Sequence, residues 1–378
     1  MTRLSLWGRF LLATVVCAAG AVAHASPWVV GQVAPLSGPY ATQARAYAQG
    51  MRLYFDEVNK AGGIQGEQIT LVTQDDRGQP EETVRATREM LAQSKPVVLA
   101  GYFGDRNLLA LADSGLLAQT QTSLVGYRSV DPRVLQVPQL FNARANTQDE
   151  MAKIATHLAT VGITKLGLFY EDGPGAASVV KLVEEAIKPA GARLAGHAML
   201  QAQGGARTAD AVATLINAQP QAILIIASSP AAAGFIEHYR MSGGTAQIYT
   251  NSDADIEQLI KRLSVEHMSG ISIAQVVPSP YRVSGRLNKQ FRDVVATRGD
   301  KLDTPVSYAM MEGYVNARVI AEALRRAPKI TPDQIAPALR SIDSVDLGGY
   351  WVSFKPRSNQ GSRFVELSIV NAAGRVSH

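Results

Sequence analysis

Two α/β lobes, each a doubly wound parallel sheet with helices on both faces, are the fold that this sequence predicts. Three observations carry the prediction. Strands and helices alternate from Trp28 to the C-terminal region, and the strands are near-continuous apolar runs, as strands buried on both faces must be. The alternation restarts after residue 142. About 350 of the 378 residues remain once an N-terminal leader is set aside, a length for two domains. Hydrophobic residues make up 46% and charged residues 18%, which excludes a disordered chain.

The leader comes first. Arg3 and Arg9 precede an apolar run over residues 10–23, and Ala23-His24-Ala25 follows the small-x-small cleavage pattern. This predicts a signal peptide over residues 1–25, a mature chain from near Ser26 and residence in the periplasm. The run is too short for a membrane span, and no later stretch is apolar for long enough. A retained anchor and a lipidated Cys17 are the alternatives, but Val15-Val16 stands where lipidation requires a small residue. Cleavage removes the chain's one cysteine, and with it disulfides, cysteine metal sites and cysteine nucleophiles. Without Arg3 and Arg9 the net charge of +5 falls to about +3. Basic and acidic residues are interspersed, so no nucleic-acid partner is expected.

In the first half, strands are expected at residues 28–34, 69–72, 96–100 and 123–126. Helices are expected at 44–60, 81–93 and 107–118. Tyr47, Met51, Tyr54, Phe55 and Val58 fall at helical spacing, and Gly62-Gly63 ends that helix. In the second half, helices are expected at 147–161, 176–189, 209–217, 231–241, 253–263, 284–297 and 306–326. The strands there are 165–170, 194–199, 222–227, 247–250 and 270–276. Thr331-Pro332 opens a last helix to Ser341, and strands at 349–354 and 364–370 close the chain.

Enzyme signatures are missing. No G-x-S-x-G, G-x-x-x-x-G-K, G-x-G-x-x-G or H-E-x-x-H occurs, and His157, His197, His238, His267 and His378 are scattered without metal-ligand spacing. No catalytic residue, metal or cofactor is expected. Asp253 and Asp255 form a D-x-D pattern that equally suits a helix start.

The stretch Gly31-Gln32-Val33-Ala34-Pro35-Leu36-Ser37-Gly38, followed by residues 50–64 (GMRLYFDEVNKAGGI), resembles the N-terminal signature of type I periplasmic binding proteins. More narrowly it resembles their leucine/isoleucine/valine-binding-like group, the solute receptors of ABC importers. Phe141-Asn142-Ala143-Arg144, Phe169-Tyr170-Glu171-Asp172, residues 307–314 (SYAMMEGY), Leu347-Gly348-Gly349 with Phe354, and Gln360-Gly361-Ser362-Arg363-Phe364 extend the likeness along the mature chain. The resemblance implies two Rossmann-like lobes joined by a three-segment hinge, with crossings near Phe141-Asn142, Ala274-Gln275-Val276 and Ser344-Val345-Asp346. Residues 26–142 with 275–343 then form the N-terminal lobe, and 143–274 with 344–378 the C-terminal lobe. A ligand held between lobes that close by hinge motion is implied too.

The family's pocket loops match Pro35 to Tyr40, which offers Ser37 and Tyr40 as ligand-binding residues. They also match Gly101 to Arg106, with Asp105 in place of the usual small hydroxyl residue and Arg106 able to attract an acid, and Gly126 to Val130, with Tyr127, Arg128 and Ser129. In the far lobe the candidates are Tyr170, Asp172, Ser228, Asn251 and Asp253, with Pro174 in the slot of a stacking tyrosine. Asp105 repels a carboxylate and accepts an ammonium or hydroxyl, or else caps the next helix. Arg128 can clamp an anion with its two-pronged donor geometry or serve a salt bridge. From Arg128 an acidic ligand is expected, lost on Arg128→Ala. The resemblance implies a monomeric receptor delivering an amino acid, aromatic acid or related carboxylate or amide to an inner-membrane ABC permease. A sensing module for a membrane signalling protein uses the same clamshell, and an exported enzyme would need catalytic groups that were not found.

Overall fold

The computed structural model describes residues 26–201, 207–354, 358–371 and 376–377; the expected signal peptide lies outside them. The first sheet contains β1 (Trp28–Ala34), β2 (Ile69–Asp75), β3 (Val98–Phe103), β4 (Leu124–Arg128) and β5 (Leu140–Phe141). Their order is β2-β1-β3-β4-β5, with every pair parallel. The second sheet is built on β6 (Lys165–Glu171), β7 (Arg193–Leu200), β8 (Ala222–Ile226), β9 (Gln247–Thr250) and β10 (Ser272–Gln275). A separate hairpin pairs β11 (Val345–Asp346) with β12 (Trp351–Val352). Then β13 (Glu366–Val370) and β14 (Val376–Ser377) join the second sheet antiparallel beyond β10. Its order is β14-β13-β10-β9-β8-β6-β7.

Helices α1 (Ala41–Lys60), α2 (Pro80–Gln93), α3 (Asp105–Asp113) and α4 (Leu116–Gln119) connect the first sheet. The second sheet carries α5 (Thr147–Thr160), α6 (Ala176–Ile187), α7 (Thr208–Ala218), α8 (Ser229–Met241), α9 (Ile256–Arg262) and α10 (Val265–Met268). After β10 the chain returns through α11 (Arg286–Arg298), α12 (Tyr308–Arg326) and α13 (Pro332–Arg340), and α12 packs along α1. That contact is backbone-close: a Cβ on Gly50 would stand 1.9 Å from the Met310 carbonyl oxygen, and one on Gly313 2.0 Å from that of Tyr47.

Both lobes repeat one topology. In each, the second strand lies outside the first and the third on its other side, so the order reverses between β1 and β3 and between β6 and β8. Ligands of open α/β sheets bind beyond the strand C-termini at such reversals.

Three local expectations are corrected. One helix was expected over 107–118, but Gly115 at φ +69° splits it into α3 and α4. A helix at 253–263 starts instead at Ile256, after a short 3-10 turn and Asp255 at φ +55°. The third crossing lies later than Ser344-Val345-Asp346. Leu287 N–H still donates to Gly348 O at 2.9 Å and Phe354 N–H to Ile342 O at 2.7 Å, so the β11–β12 hairpin stays with α11 and α13. The chain leaves along residues 359–361, which bond to Asn142 of the first crossing. Tyr350 joins the three segments: its fully buried hydroxyl reaches the carbonyls of Ala143 and Val276, the latter at 3.0 Å, and the Ser362 side chain.

Candidate functional site: the cleft between the lobes

The loops after β1, β3 and β4 face those after β6, β8 and β9 across a cleft of about 280 Å³. The lobes touch over it. The Tyr40 hydroxyl hydrogen-bonds the Ser228 side chain, a Cβ on Gly173 would lie 3.9 Å from Asp105 Oδ2, and one on Gly175 would lie 3.1 Å from Asp131 Cγ. Burial, aided by the Glu171 carboxylate, pushes the Tyr40 hydroxyl up to about 12. Phe103, Val130, Val179 and Ile226 give the cleft an apolar wall.

The expected residues divide. Tyr40, Asp105, Arg106, Arg128, Ser129, Asp172, Ser228 and Asp253 line the cleft. Ser37, Tyr127, Tyr170 and Asn251 do not. Ser37 is exposed and turned to Asp75, whose carboxylate takes its backbone N–H at 3.3 Å. Tyr127 follows the strand alternation to the opposite face from Arg128 and is buried among Leu108, Leu124 and Leu140. Tyr170 is buried in the second lobe beside His197. Asn251 is fully buried and donates to Asp253 Oδ2 at 3.1 Å.

Asp105 is neither a cap of its own helix nor a bare acid. Its Oδ1 accepts from Ser129 Oγ at 2.5 Å and from the N–H groups of Val130 at 2.9 Å and Asp131 at 3.3 Å, pinning the loop after β4. Burial nevertheless holds its pKa above the ordinary aspartate value. Arg128 is not a free anion clamp. Its Nε and Nη2 both bond Glu312 Oε2, at 3.2 and 2.9 Å, and its guanidinium lies 5.6 Å from the centre of the Phe103 ring. Burial opposes its charge, yet Glu312 holds its pKa above the usual arginine value.

Below the cleft floor Arg144, 6% exposed, continues this pairing. Its Nη1 lies 3.4 Å from Glu312 Oε1, while Nη2 bonds Ser252 Oγ and stands 3.6 Å from Glu150 Oε1 and 3.7 Å from Asp253 Oδ1. Glu150 also takes the Ser252 N–H at 2.6 Å. Burial pushes the Glu150 carboxyl up to about 7, against the pull of Arg144.

The open charges at the cleft are therefore mainly acidic. Asp172 is exposed, Asp253 has only a long 3.7 Å ion pair with Arg144, and Glu171 accepts the Ser228 N–H at 2.7 Å. Arg106 is exposed and has no hydrogen bond or ion pair among the described residues. The other donors are backbone. Both α3 and α6 begin after a cleft-lining glycine, Gly104 and Gly175, with no side-chain cap, but in α6 the Ala176 and Ser178 N–H groups already bond the Gly173 and Gly175 carbonyls at 3.0 and 2.9 Å.

A family model described as periplasmic binding protein matches residues 27–374. The chain is a type I periplasmic binding protein. Among solved structures, this binding protein is similar to a substrate-binding periplasmic protein of Ralstonia solanacearum, 36% identical over 92% of this chain and 99% of that one, with a TM-score of 0.83. It is also similar to an extracellular ligand-binding receptor of Verminephrobacter eiseniae, 26% identical over 93% and 100%, with a TM-score of 0.86. A Leu/Ile/Val-binding protein homolog of Brucella abortus is 23% identical over 90% of this chain and 87% of its own.

Sequence reasoning missed several residues that this binding protein brings to the cleft or beneath it: Gln43, Phe103, Asn107, Glu171 and Arg144. Glu171 and Arg144 stood inside recognised motifs, and their polarity at the ends of apolar strands was the available signal. Among the described residues, no helix is long and apolar enough to cross a membrane.

Proposed function

We propose that this protein is the solute receptor of an ABC importer and that its ligand is an amino acid with an apolar side chain. The observation that carries this is the pairing, in one cleft, of acids with the uncapped N-terminus of α3. Asp253, supported by Glu171, suits an α-ammonium. The first-turn N–H groups of α3, with the exposed Arg106, suit an α-carboxylate, because backbone donors and the helix dipole favour an anion there. Phe103, Val130 and Ile226 suit an apolar body. The name of the Brucella relative supports the same ligand class. The permease, the periplasmic location and a non-enzymatic role belong to this reading. So does a division into one lobe of residues 26–141 with 277–354 and a second of 142–276 with 358–377.

A thermal-shift panel tests it, with L-isoleucine, L-phenylalanine, the corresponding amines, the corresponding 2-keto acids and a dicarboxylate. A ligand at a hundred times its dissociation constant adds about 2.7 kcal/mol of stability. Amino acids should raise the midpoint most, and Asp253→Asn should remove most of that gain. A response confined to acids lacking an ammonium sinks the proposal.

A further inference from the structure

The two cleft residues Arg128 and Asp253 belong to opposite lobes, yet one buried chain of charges joins them beneath the floor: Arg128, Glu312, Arg144, Asp253. Arg144 is its shared member. It sits on the first crossing and divides one guanidinium between Glu312 on α12 of the first lobe and the acids Glu150 and Asp253 of the second. Neither acid contact is saturated, and the closest partner of Nη2 is Ser252 Oγ. The Glu312 contact is 3.4 Å and the Asp253 contact 3.7 Å, each longer than a good charge-assisted hydrogen bond. Glu150 does not decide the balance, because Ser252 bonds both its oxygens, through N–H at 2.6 Å and Oγ at 3.1 Å. The variable partners are thus one acid that lines the cleft and one acid across the hinge.

We infer that Arg144 is the positioning residue that couples occupancy of the cleft to lobe closure: a cation seated on Asp253 weakens that acid's hold on Arg144, and the guanidinium then tightens on Glu312 and holds the lobes in the touching arrangement. The inference rests on the reading of Asp253 as an ammonium seat. Its physical content is a competition for one guanidinium. An arginine that only filled space would not sense the charge on Asp253.

The test uses the mature chain without ligand, so that it is judged separately from the ligand panel. Cysteines at Glu81→Cys on α2 and Lys181→Cys on α6, both exposed positions, carry spin labels, and pulsed electron resonance reads the distance between the lobes. Asp253→Asn mimics neutralisation by a bound cation. It should raise the ratio of closed to open molecules by about fivefold or more, the lower edge of ordinary coupling between sites. In an Arg144→Met background the same substitution should change nothing, and Arg144→Lys should restore part of the response. Glu312→Gln should also abolish it, and supplies the same comparison if Arg144→Met does not fold. A response to Asp253→Asn that persists without Arg144 or without Glu312 overturns the inference, as does no response in the otherwise native chain. A failed ligand panel with this coupling intact would remove the amino-acid reading and leave the coupling standing.

Discussion

Tyr127 and Arg128 are neighbours on β4, and strand alternation sends one into the α3 side of the sheet and the other toward α12 and the cleft. Sequence reasoning took both as ligand contacts because the loop match carries no information on side-chain direction. It read Arg128 as an anion clamp because its partner Glu312 is 184 residues away. Removing one partner of such a buried pair strands the other charge, so Arg128→Ala should cost about 3–5 kcal/mol in urea unfolding without any ligand present. Arg128→Ala with Glu312→Gln together should cost less than the two single effects added. Glu150 gives a pH signature. Its folded pKa of about 7 lies above the ordinary glutamate value of 4.5, so between the two the folded state holds a proton that the unfolded state has lost. That contribution is complete below about 4.5 and disappears as pH rises through about 7. Unfolding midpoints of Glu150→Gln should therefore gain on the native chain between pH 5 and pH 7; a constant difference across that window contradicts the assignment.

At the scale of elements, the long periodic helices and apolar strands were legible because burial on a regular lattice writes a regular pattern. Residues 44–60 and 306–326 were expected to be helical and form most of α1 and α12. What the pattern could not show is how closely they meet. Gly50 and Gly313 face the partner backbone at distances no Cβ tolerates, so Gly50→Ala or Gly313→Ala should separate the helices and lower stability by about 1–3 kcal/mol or more. Because α1 brings Gln43 to the cleft and Tyr40 precedes its first turn, the same substitutions should weaken ligand binding, whereas Gly234→Ala on α8, with open space at its Cβ, should not. The cleft's acids were half legible. Asp172 and Asp253 stood in turns that the family likeness marked. Glu171 ends an apolar strand, and nothing local but its polarity marks it as a cleft residue. The division of α3 from α4 and the late third crossing depended on Gly115 and on hydrogen bonds between distant residues, which no local window contains.

At the scale of the molecule, the two sheets present their order reversals to each other, so that loops distant in sequence share one cleft. Three chain segments meet at Tyr350, whose hydroxyl reaches Ala143, Val276 and Ser362. Tyr350→Phe removes that hydroxyl, and hydrogen exchange at residues 141–145 and 276–277 should speed while the sheet centres stay protected. We expect the two lobes to shut as a clamshell on a small molecule. Small-angle scattering of the mature protein with and without the amino acid that gives the largest thermal shift tests it most directly. The radius of gyration should fall on binding; profiles that superimpose at a concentration well above the dissociation constant would contradict it.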